Sequence, residues 1–216
     1  MRLNPAAFDA FLGGNIGQNF NWRKAYRCPC QNPQSGAANP SCLQCGGAGV
    51  LWDNSILSPA GVANQKVQRE WAQFGQWQNG DVVVTIPQVS PMYDAGEFDR
   101  ATMLNATENF SLQLTAGSTL ERIRLQVQSF SRVFWLDMNQ NIVNGSAVPT
   151  VGPDGVLTWP ATGAPPIGTQ YSINGTALVE YFVWGNFPQN RNEHFGARLP
   201  KRVVLRKFDL FGRQLN

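Results

Sequence analysis

The chain has 216 residues and a net charge of +3, and 14% of its residues are charged, 43% hydrophobic and 11% aromatic. This apolar content excludes an intrinsically disordered chain, and the mild charge gives no support to a dedicated nucleic-acid binder, whose basic footprint is heavier. Glycine and proline are scattered throughout and helix-forming runs are few, which is typical of β-rich proteins with many turns.

The sequence predicts three segments. Residues 1–27 form an N-terminal arm, residues 28–49 a four-cysteine zinc knuckle, and residues 50–216 a β-rich core domain with a basic C-terminal strand. No apolar run approaches the roughly 20 residues of a membrane span, so no membrane contact is expected. The first residues, Met1–Pro5, lack the apolar core of a signal peptide, and we therefore expect a cytoplasmic site of synthesis.

The N-terminal arm contains an apolar patch at residues 8–12, which Gly13 and Gly14 interrupt. We expect the patch to be an arm or a short helix that packs on another part of the structure. The basic and aromatic run at residues 21–27 has two interpretations. It grips phosphate or a partner, or it is a solvated flank of the knuckle with its rings packed on the domain, which requires less and is favoured.

All four cysteines lie in one short stretch, as two close pairs separated by eleven residues. Cys28 and Cys30 form the first pair, and Cys42 and Cys45 form the second. Two such pairs on a loop that folds back supply the sulfurs of a tetrahedral thiolate site. We predict a structural zinc ion, because four protein ligands leave no coordination position for a substrate. Disulfides or free thiols are the alternatives.

Glycines follow the second pair directly, in the segment Gly46-Gly47-Ala48-Gly49. Glycine reaches positive φ without strain, so this segment is predicted to turn sharply and to direct backbone N–H groups at the thiolates. A strand that leaves the knuckle is expected from residue 50 onward.

The region after the knuckle contains one ambiguous segment and one clear strand. Val67, Trp71 and Phe74 have the spacing of one helical face, yet residues 62–77 are equally compatible with an extended conformation. Residues 80–87 are rich in β-branched side chains and end in proline, which predicts a strand.

Three carboxylates, those of Asp94, Glu97 and Asp99, lie within six residues of a predicted loop at 91–100. Such a group can bind a metal ion or perform acid–base catalysis. A solvated turn, or a loop that binds a neighbouring subunit, requires less and is favoured.

Alternating apolar and polar residues predict about six or seven short strands between residues 80 and 185. Asp154-Gly155 is a hairpin signal, and Asn174-Gly175 is expected to join a strand at 168–173 to another at 177–184. The predicted fold is mainly β, a β-sandwich or barrel with a small N-terminal zinc-binding knuckle and extended arms.

The C-terminal segment at residues 198–213 holds six of the seventeen basic residues of the chain. Val203 and Leu205 alternate with Val204, which predicts a strand covered on both faces and flanked by charge. The basic residues are either solvated or form a positive surface that faces DNA or an acidic partner, and the sequence leaves both open.

Motifs of catalysis are missing from the sequence. The chain has no phosphate-binding loop, no Rossmann glycine fingerprint, no His-Glu-x-x-His and no nucleophile elbow. Its single histidine, His194, lies in a polar segment where a surface position is expected. We therefore expect no enzymatic activity.

Several segments together resemble the virion proteins of tailed bacteriophages, and the cysteine module carries the sharpest chemical signature. The resembling segments are residues 26–36, 42–49, 75–87, 93–100 and 199–206. The four cysteines are the functional residues that this resemblance carries over to the chain.

The resemblance implies a neck or head–tail connector protein, present as a ring of identical subunits between portal and tail. The implied layer is a head-closure stopper or collar, and a tail terminator or another tail structural protein is the alternative. Implied partners are identical subunits, portal or adaptor proteins, tail proteins, and packaged DNA at the basic C-terminal segment. The implied location is the virion neck or tail, after synthesis in the host cytoplasm. A nucleic-acid-binding zinc protein is the alternative of a different class.

Overall fold

The computed structural model describes residues 5–14, 17–63, 65–75, 77–186, 193–194 and 196–208. The chain is mainly β, with 45% strand and 10% helix, which confirms the predicted fold class. The helices are α1 (Pro5–Gly13), α2 (Gln65–Gln73) and a 3-10 helix (Pro91–Asp94). The first seven strands are β1 (Gln18–Arg23), β2 (Ala25–Arg27), β3 (Val50–Trp52), β4 (Ile56–Val62), β5 (Val82–Ile86), β6 (Arg100–Thr115) and β7 (Val127–Leu136). The others are β8 (Ile142–Asn144), β9 (Thr150–Val151), β10 (Leu157–Thr158), β11 (Gln170–Asn186), β12 (Glu193–His194), β13 (Ala197–Arg198) and β14 (Lys201–Lys207).

The chain forms two compact units. Within the described residues, unit 1 comprises the chain up to Leu104 together with Glu180–Phe208, and unit 2 comprises Asn105–Val179. The long strands β6 and β11 each contribute residues to both units.

Unit 1 is built on a closed ring of strands. The order is β14-β5-β4-β1-β6-β11, and β14 also pairs with β11, so each of these six strands has two neighbours. A closed sheet has no free edge and encloses its own core, which here includes Phe20, Ile86 and Leu205, all fully buried. The predicted sandwich or barrel is therefore a barrel in this unit.

Strand β1 is one of the barrel strands and pairs with β4 on one side and β6 on the other. Its residues fall within the predicted N-terminal arm. Phe20 and Trp22 are buried, whereas Asn19 is exposed and Asn21 half-buried. Phe20 and Trp22 alternate with Asn19 and Asn21, which is the pattern of a half-buried strand, but the pattern does not show which strands become the neighbours of β1.

Helix α2 covers one side of the barrel, which decides the conformation of the ambiguous segment. Trp71 is buried and packs against Val83 of β5 and Val204 of β14, with Val67 beside it. The helix ends at a turn in which Gly75 takes a φ of +73°. Among the described residues, no helix is long and apolar enough to cross a bilayer.

Strand β14 is covered on both faces, as predicted, because one face points into the barrel core and the other packs against Trp71 of α2. Val203, Val204 and Leu205 are all fully buried. Arg206 follows them, 7% exposed, and its guanidinium donates to both carboxylate oxygens of Asp81 at 3.0 Å. Asp81 also accepts from the Trp71 indole at 3.2 Å, so one buried carboxylate joins α2, β5 and β14.

Unit 2 is a sheet with its own core. Strand β7 pairs with the first part of β11, and β8 pairs with β7. Residues of alternating exposure along β6 place Phe110 and Leu112 against this core and leave Asn109 and Ser111 exposed. The core is formed by Ala116, Ile123, Leu125, Val133, Leu157, Tyr171, Ile173 and Ala177.

Strand β11 corrects the expected turn at Asn174-Gly175, because the chain continues through it as one strand of 17 residues. The pairing with β7 shifts register between Asn174 and Gly175, which marks a bulge. A Cβ on Gly175 would lie 2.1 Å from the Ser129 carbonyl oxygen, so glycine permits this close approach.

Replacing Asp81 with alanine is expected to lower the free energy of unfolding by about 3–5 kcal/mol, because the Arg206 guanidinium stays buried without its carboxylate partner. Urea unfolding followed by tryptophan fluorescence measures the change. Glu97→Ala, at an exposed position, is the control and should change stability by no more than about 0.5 kcal/mol. Equal unfolding midpoints for the two variants would contradict the structural role of the pair.

Candidate metal centre

A two-stranded ladder closes the cysteine loop at its base. Strands β2 and β3 pair antiparallel, with Arg27 opposite Val50. The next residues extend the closure, since the Cys28 N–H donates to the Gly49 carbonyl at 2.8 Å. The whole segment between these strands, residues 28–49, is therefore a self-contained loop, hereafter the knuckle.

The knuckle brings the four cysteine sulfurs together. All four Sγ atoms lie within 4.8 Å of one another, with 3.8 Å between Cys28 and Cys42 and 3.5 Å between Cys30 and Cys45. Four sulfurs bonded to one zinc ion at about 2.3 Å would lie about 3.8 Å apart. These separations are far longer than the ~2 Å of a disulfide bond, and all four cysteines are free. The cluster can therefore hold one metal ion.

The glycines after Cys45 adopt the predicted conformation. Gly46, Gly47 and Gly49 have φ values of +57°, +85° and +72°. The resulting turn directs the Gly49 N–H at the Cys45 sulfur, at 3.3 Å. A backbone donor of this kind stabilises a thiolate and orients it for a metal ion. The prediction from the glycine spacing is confirmed at this residue.

The local electrostatics differ among the thiols. Backbone N–H groups of Cys45 and Gln44 lower the pKa of Cys42 to about 6. A backbone N–H of Asn39 acts in the same direction on Cys30, but burial and the neighbouring thiols raise the pKa of Cys30 to about 12. Four close thiolates repel one another, so a divalent cation is the natural partner for the full set.

Side chains within the knuckle stabilise its turns. The Asn32 carboxamide oxygen accepts from the backbone N–H groups of Gln34 and Ser35, at 2.8 and 3.1 Å. The Asn39 carboxamide oxygen accepts in the same way from Ser41. The Gln31 side chain donates to the Gly49 carbonyl at 2.9 Å. The carboxamide side chains of the loop thus supply its turns.

The donor set limits what a bound ion does. Four sulfur ligands complete a tetrahedral shell and leave no position for water or substrate. Cys28 is 3% exposed and the other three are half-buried. The chemistry of the site is therefore that of a clip that holds a loop. Among the described residues, the four cysteines are the one group of three or more metal-binding side chains whose ligand atoms lie close enough together to share an ion.

The three carboxylates of the acidic loop differ in exposure, since Asp94 and Glu97 are exposed and Asp99 is buried. Asp99 is 1% exposed and accepts from the Trp22 indole at 3.0 Å and from the Ala25 and Gly96 N–H groups at 2.8 and 3.0 Å. Lys24 lies 3.4 Å from the same carboxylate. Asp99 therefore fixes the loop to the barrel, a role that its sequence neighbours alone did not indicate.

Two basic segments also have internal partners. Lys24 donates to the Asp94 carbonyl at 2.8 Å, and Lys201 donates to the Ala95 carbonyl at 2.9 Å. Burial lowers the pKa of Lys201. With Arg206 bound to Asp81, three of the cations considered for nucleic-acid binding are engaged inside the fold. The side chain of His194 and the whole of Arg213 lie outside the described residues.

Comparison with known proteins identifies no family for the chain. No protein-family model matches the sequence. No curated protein matches it either. The case for a function therefore depends on the residues of the chain itself.

Gly49→Ala is expected to weaken metal binding, because the new Cβ would lie 2.9 Å from the Gln31 amide nitrogen and 3.0 Å from the Ala38 Cβ. Gly36→Ala is the matched control, since Gly36 also has positive φ, +69°, but its Cβ would meet nothing within 4 Å. The loss of affinity at Gly49 should exceed the loss at Gly36 by about tenfold. Competition with a chromophoric chelator measures both, and equal losses would mean that the turn does not support the site.

Proposed function

We propose that the protein is a structural subunit of the neck of a tailed bacteriophage, a head-closure stopper or collar in a ring of identical copies. A tail terminator, or another tail structural protein, is the alternative within the same class. One observation carries the proposal. The segments that resemble phage virion proteins, although scattered along the chain, all belong to unit 1.

Several of these segments also contact one another. Residues of β14 pair with β5, with Lys201 opposite Ile86. The Tyr93 hydroxyl donates to the Leu199 carbonyl at 2.9 Å, and Lys201 donates to Ala95. The resemblance therefore covers one body, namely the barrel strands, the adjoining loop and the knuckle. This agreement supports a common architecture more strongly than isolated motifs do.

The proposed cofactor is one zinc ion held by Cys28, Cys30, Cys42 and Cys45. Tetrahedral sets of four thiolates favour zinc or iron, and zinc is the usual choice where the role is structural and no electron transfer is needed. The ion would fix the knuckle relative to its own base, β2 and β3. A fixed loop loses little conformational entropy on assembly, which suits a surface that contacts neighbours.

A ring subunit needs a rigid body and exposed elements that contact its neighbours. The closed barrel supplies the rigid body. Exposed apolar side chains lie on the knuckle and on the adjoining loop, with Leu43 97% and Phe98 53% exposed. The identical subunits, portal or adaptor proteins and tail proteins remain the proposed partners.

The other functions have less support. A catalytic role for the three carboxylates of the acidic loop would need them to act together, whereas Asp94 and Glu97 are exposed and Asp99 is buried among donors. Nucleic-acid binding would need several cations that face solvent, and although Arg27 and Arg198 are exposed, Lys24, Lys201 and Arg206 bind groups of the fold. Contact with packaged DNA is therefore secondary to contact with proteins in the proposed role, and no catalytic activity is proposed.

Purified protein is expected to contain about one zinc ion per chain by elemental analysis. Removal of the ion by a chelator should speed amide hydrogen exchange in residues 28–49 and leave β5 and β14 protected, because the clip is local. Cys42→Ser should reproduce the same pattern. Protein that carries no metal and has four reactive thiols would contradict the zinc assignment.

Phage particles that contain the protein should show it as one discrete ring at the neck. Immunogold labelling and image averaging of particles measure its position, and native mass spectrometry of the isolated neck measures its copy number. A variant at an exposed position outside the knuckle and the adjoining loop, such as Gln113→Ala, serves as the control for tagging and assembly. Particles in which the protein is absent, or present only inside the head, would contradict the proposal.

A further inference from the structure

One end of unit 2 exposes aliphatic side chains on neighbouring loops. Isolated exposed apolar residues are ordinary, but several on one end of one unit indicate a contact surface. The residues and their exposed fractions are Leu120 60%, Leu136 54%, Met138 103%, Ile142 57% and Ile167 91%.

The strand register shows that these residues share one end. Trp135 of β7 pairs with Tyr171 near the start of β11, so the turn after β7 lies beside the loop before β11. That loop in turn bonds to the end of β6, since the Gly168 N–H donates to the Ala116 carbonyl at 2.8 Å. Leu136 and Ile142 face each other across the β7–β8 ladder. We call residues 136–142 the hairpin tip.

The hairpin tip is held in one conformation. The Asp137 carboxylate accepts from the backbone N–H groups of Asn139 and Asn141, both at 2.8 Å, and from the Asn141 side chain at 3.1 Å. These donors lower the pKa of Asp137, so its carboxylate is charged at neutral pH. Met138 projects from this ordered turn. A preorganised apolar side chain binds a partner at a low entropic cost.

The chemistry of the tip favours a protein partner. Segments that insert into membrane interfaces combine apolar residues with tryptophan, tyrosine, lysine or arginine. The hairpin tip has none of these four residue types, and asparagine and glutamine separate its apolar side chains. A partner that fits it needs an apolar recess for Met138 and a cation for Asp137.

A groove of that description lies along α2 in unit 1. It has a volume of about 320 Å³ and is lined by Gln68, Arg69, Ala72 and Trp77. Trp77 is 44% exposed, and a methionine thioether packs favourably on an aromatic ring. Arg69 is exposed at the same groove and can pair with a carboxylate.

We propose that the hairpin tip of one copy of this protein docks in the α2 groove of a second copy. Met138 fills the recess against Trp77, and Asp137 pairs with Arg69. The two surfaces are different, so the contact is heterologous and leaves a tip and a groove open at the two ends of any chain of copies. Closure of such a chain into a ring rests on the proposed function, whereas the pairwise contact does not.

The contact is expected to be weak between two isolated copies. The tip is small compared with the surfaces that stable dimers bury. In a closed ring each copy makes the contact twice, and the second contact forms at the high effective concentration that the first one creates. Assembly is therefore expected to depend strongly on protein concentration.

Two variants test the contact from its two sides. Met138→Lys replaces the apolar side chain that fills the groove with a charged one beside Arg69, and Ala72→Tyr fills the groove from an exposed helical position. Each variant alone should associate at least about tenfold more weakly than the wild type in sedimentation velocity. Val89→Lys, which changes another exposed apolar residue, 75% exposed, should associate like the wild type.

An equimolar mixture of the two variants gives the decisive result. The Ala72→Tyr copy keeps an intact tip and the Met138→Lys copy keeps an intact groove, so at high protein concentration the mixture should form a 1:1 complex and nothing larger. A wild type that stays monomeric at every soluble concentration would overturn the proposal, and so would either variant that associates normally. Loss of binding to lipid vesicles in Met138→Lys, without any change in association, would also overturn it.

The same variants separate this inference from the proposed function. A neck ring that contains Met138→Lys protein at normal occupancy would overturn the tip–groove contact and leave the neck assignment intact. A 1:1 complex in the mixture, together with phage particles that lack the protein, would support the contact and overturn the neck assignment.

Discussion

The structure of unit 1 depends on the last described strand, β14, which pairs with β5 on one side and with β11 on the other and so closes the barrel. Closure buries Val203, Val204 and Leu205 completely. It also brings Arg206 against Asp81, and Asp81 holds Trp71 of α2. The loss of this strand would expose two sheet edges and a helix face together, so the barrel and its helix form one cooperative structure.

The knuckle and the acidic loop are attached to the same barrel. Strand β2 follows β1 after a single residue, Lys24, and the Asp99 carboxylate accepts from Trp22, Ala25 and Gly96. The four cysteines thus close a loop whose base continues a barrel strand. An ion bound there by four thiolates would have no open coordination position, and its effect would be to fix the shape of the loop.

Much of the candidate site could be predicted from local sequence. Two cysteine pairs separated by a short loop predict that the four sulfurs meet, as they do, and the glycines after Cys45 reach positive φ as expected. The roles of charged residues could not be predicted in this way. Asp99, Lys201 and Arg206 each have a partner that lies between 74 and 125 residues away in the sequence. No local sequence pattern encodes pairs that are so far apart along the chain.

The sequence by itself determined the mainly β class, the strand at Val82–Ile86 and the four-cysteine cluster, because each follows from short-range patterns of side-chain type and spacing. Only the tertiary structure decided that β1 is a central strand and that β11 runs unbroken through Asn174-Gly175. Polar residues in β1 pair through their backbones, and Gly175 accommodates a carbonyl of the adjacent strand. Both outcomes depend on which strands become neighbours, and that is settled by packing of the whole chain.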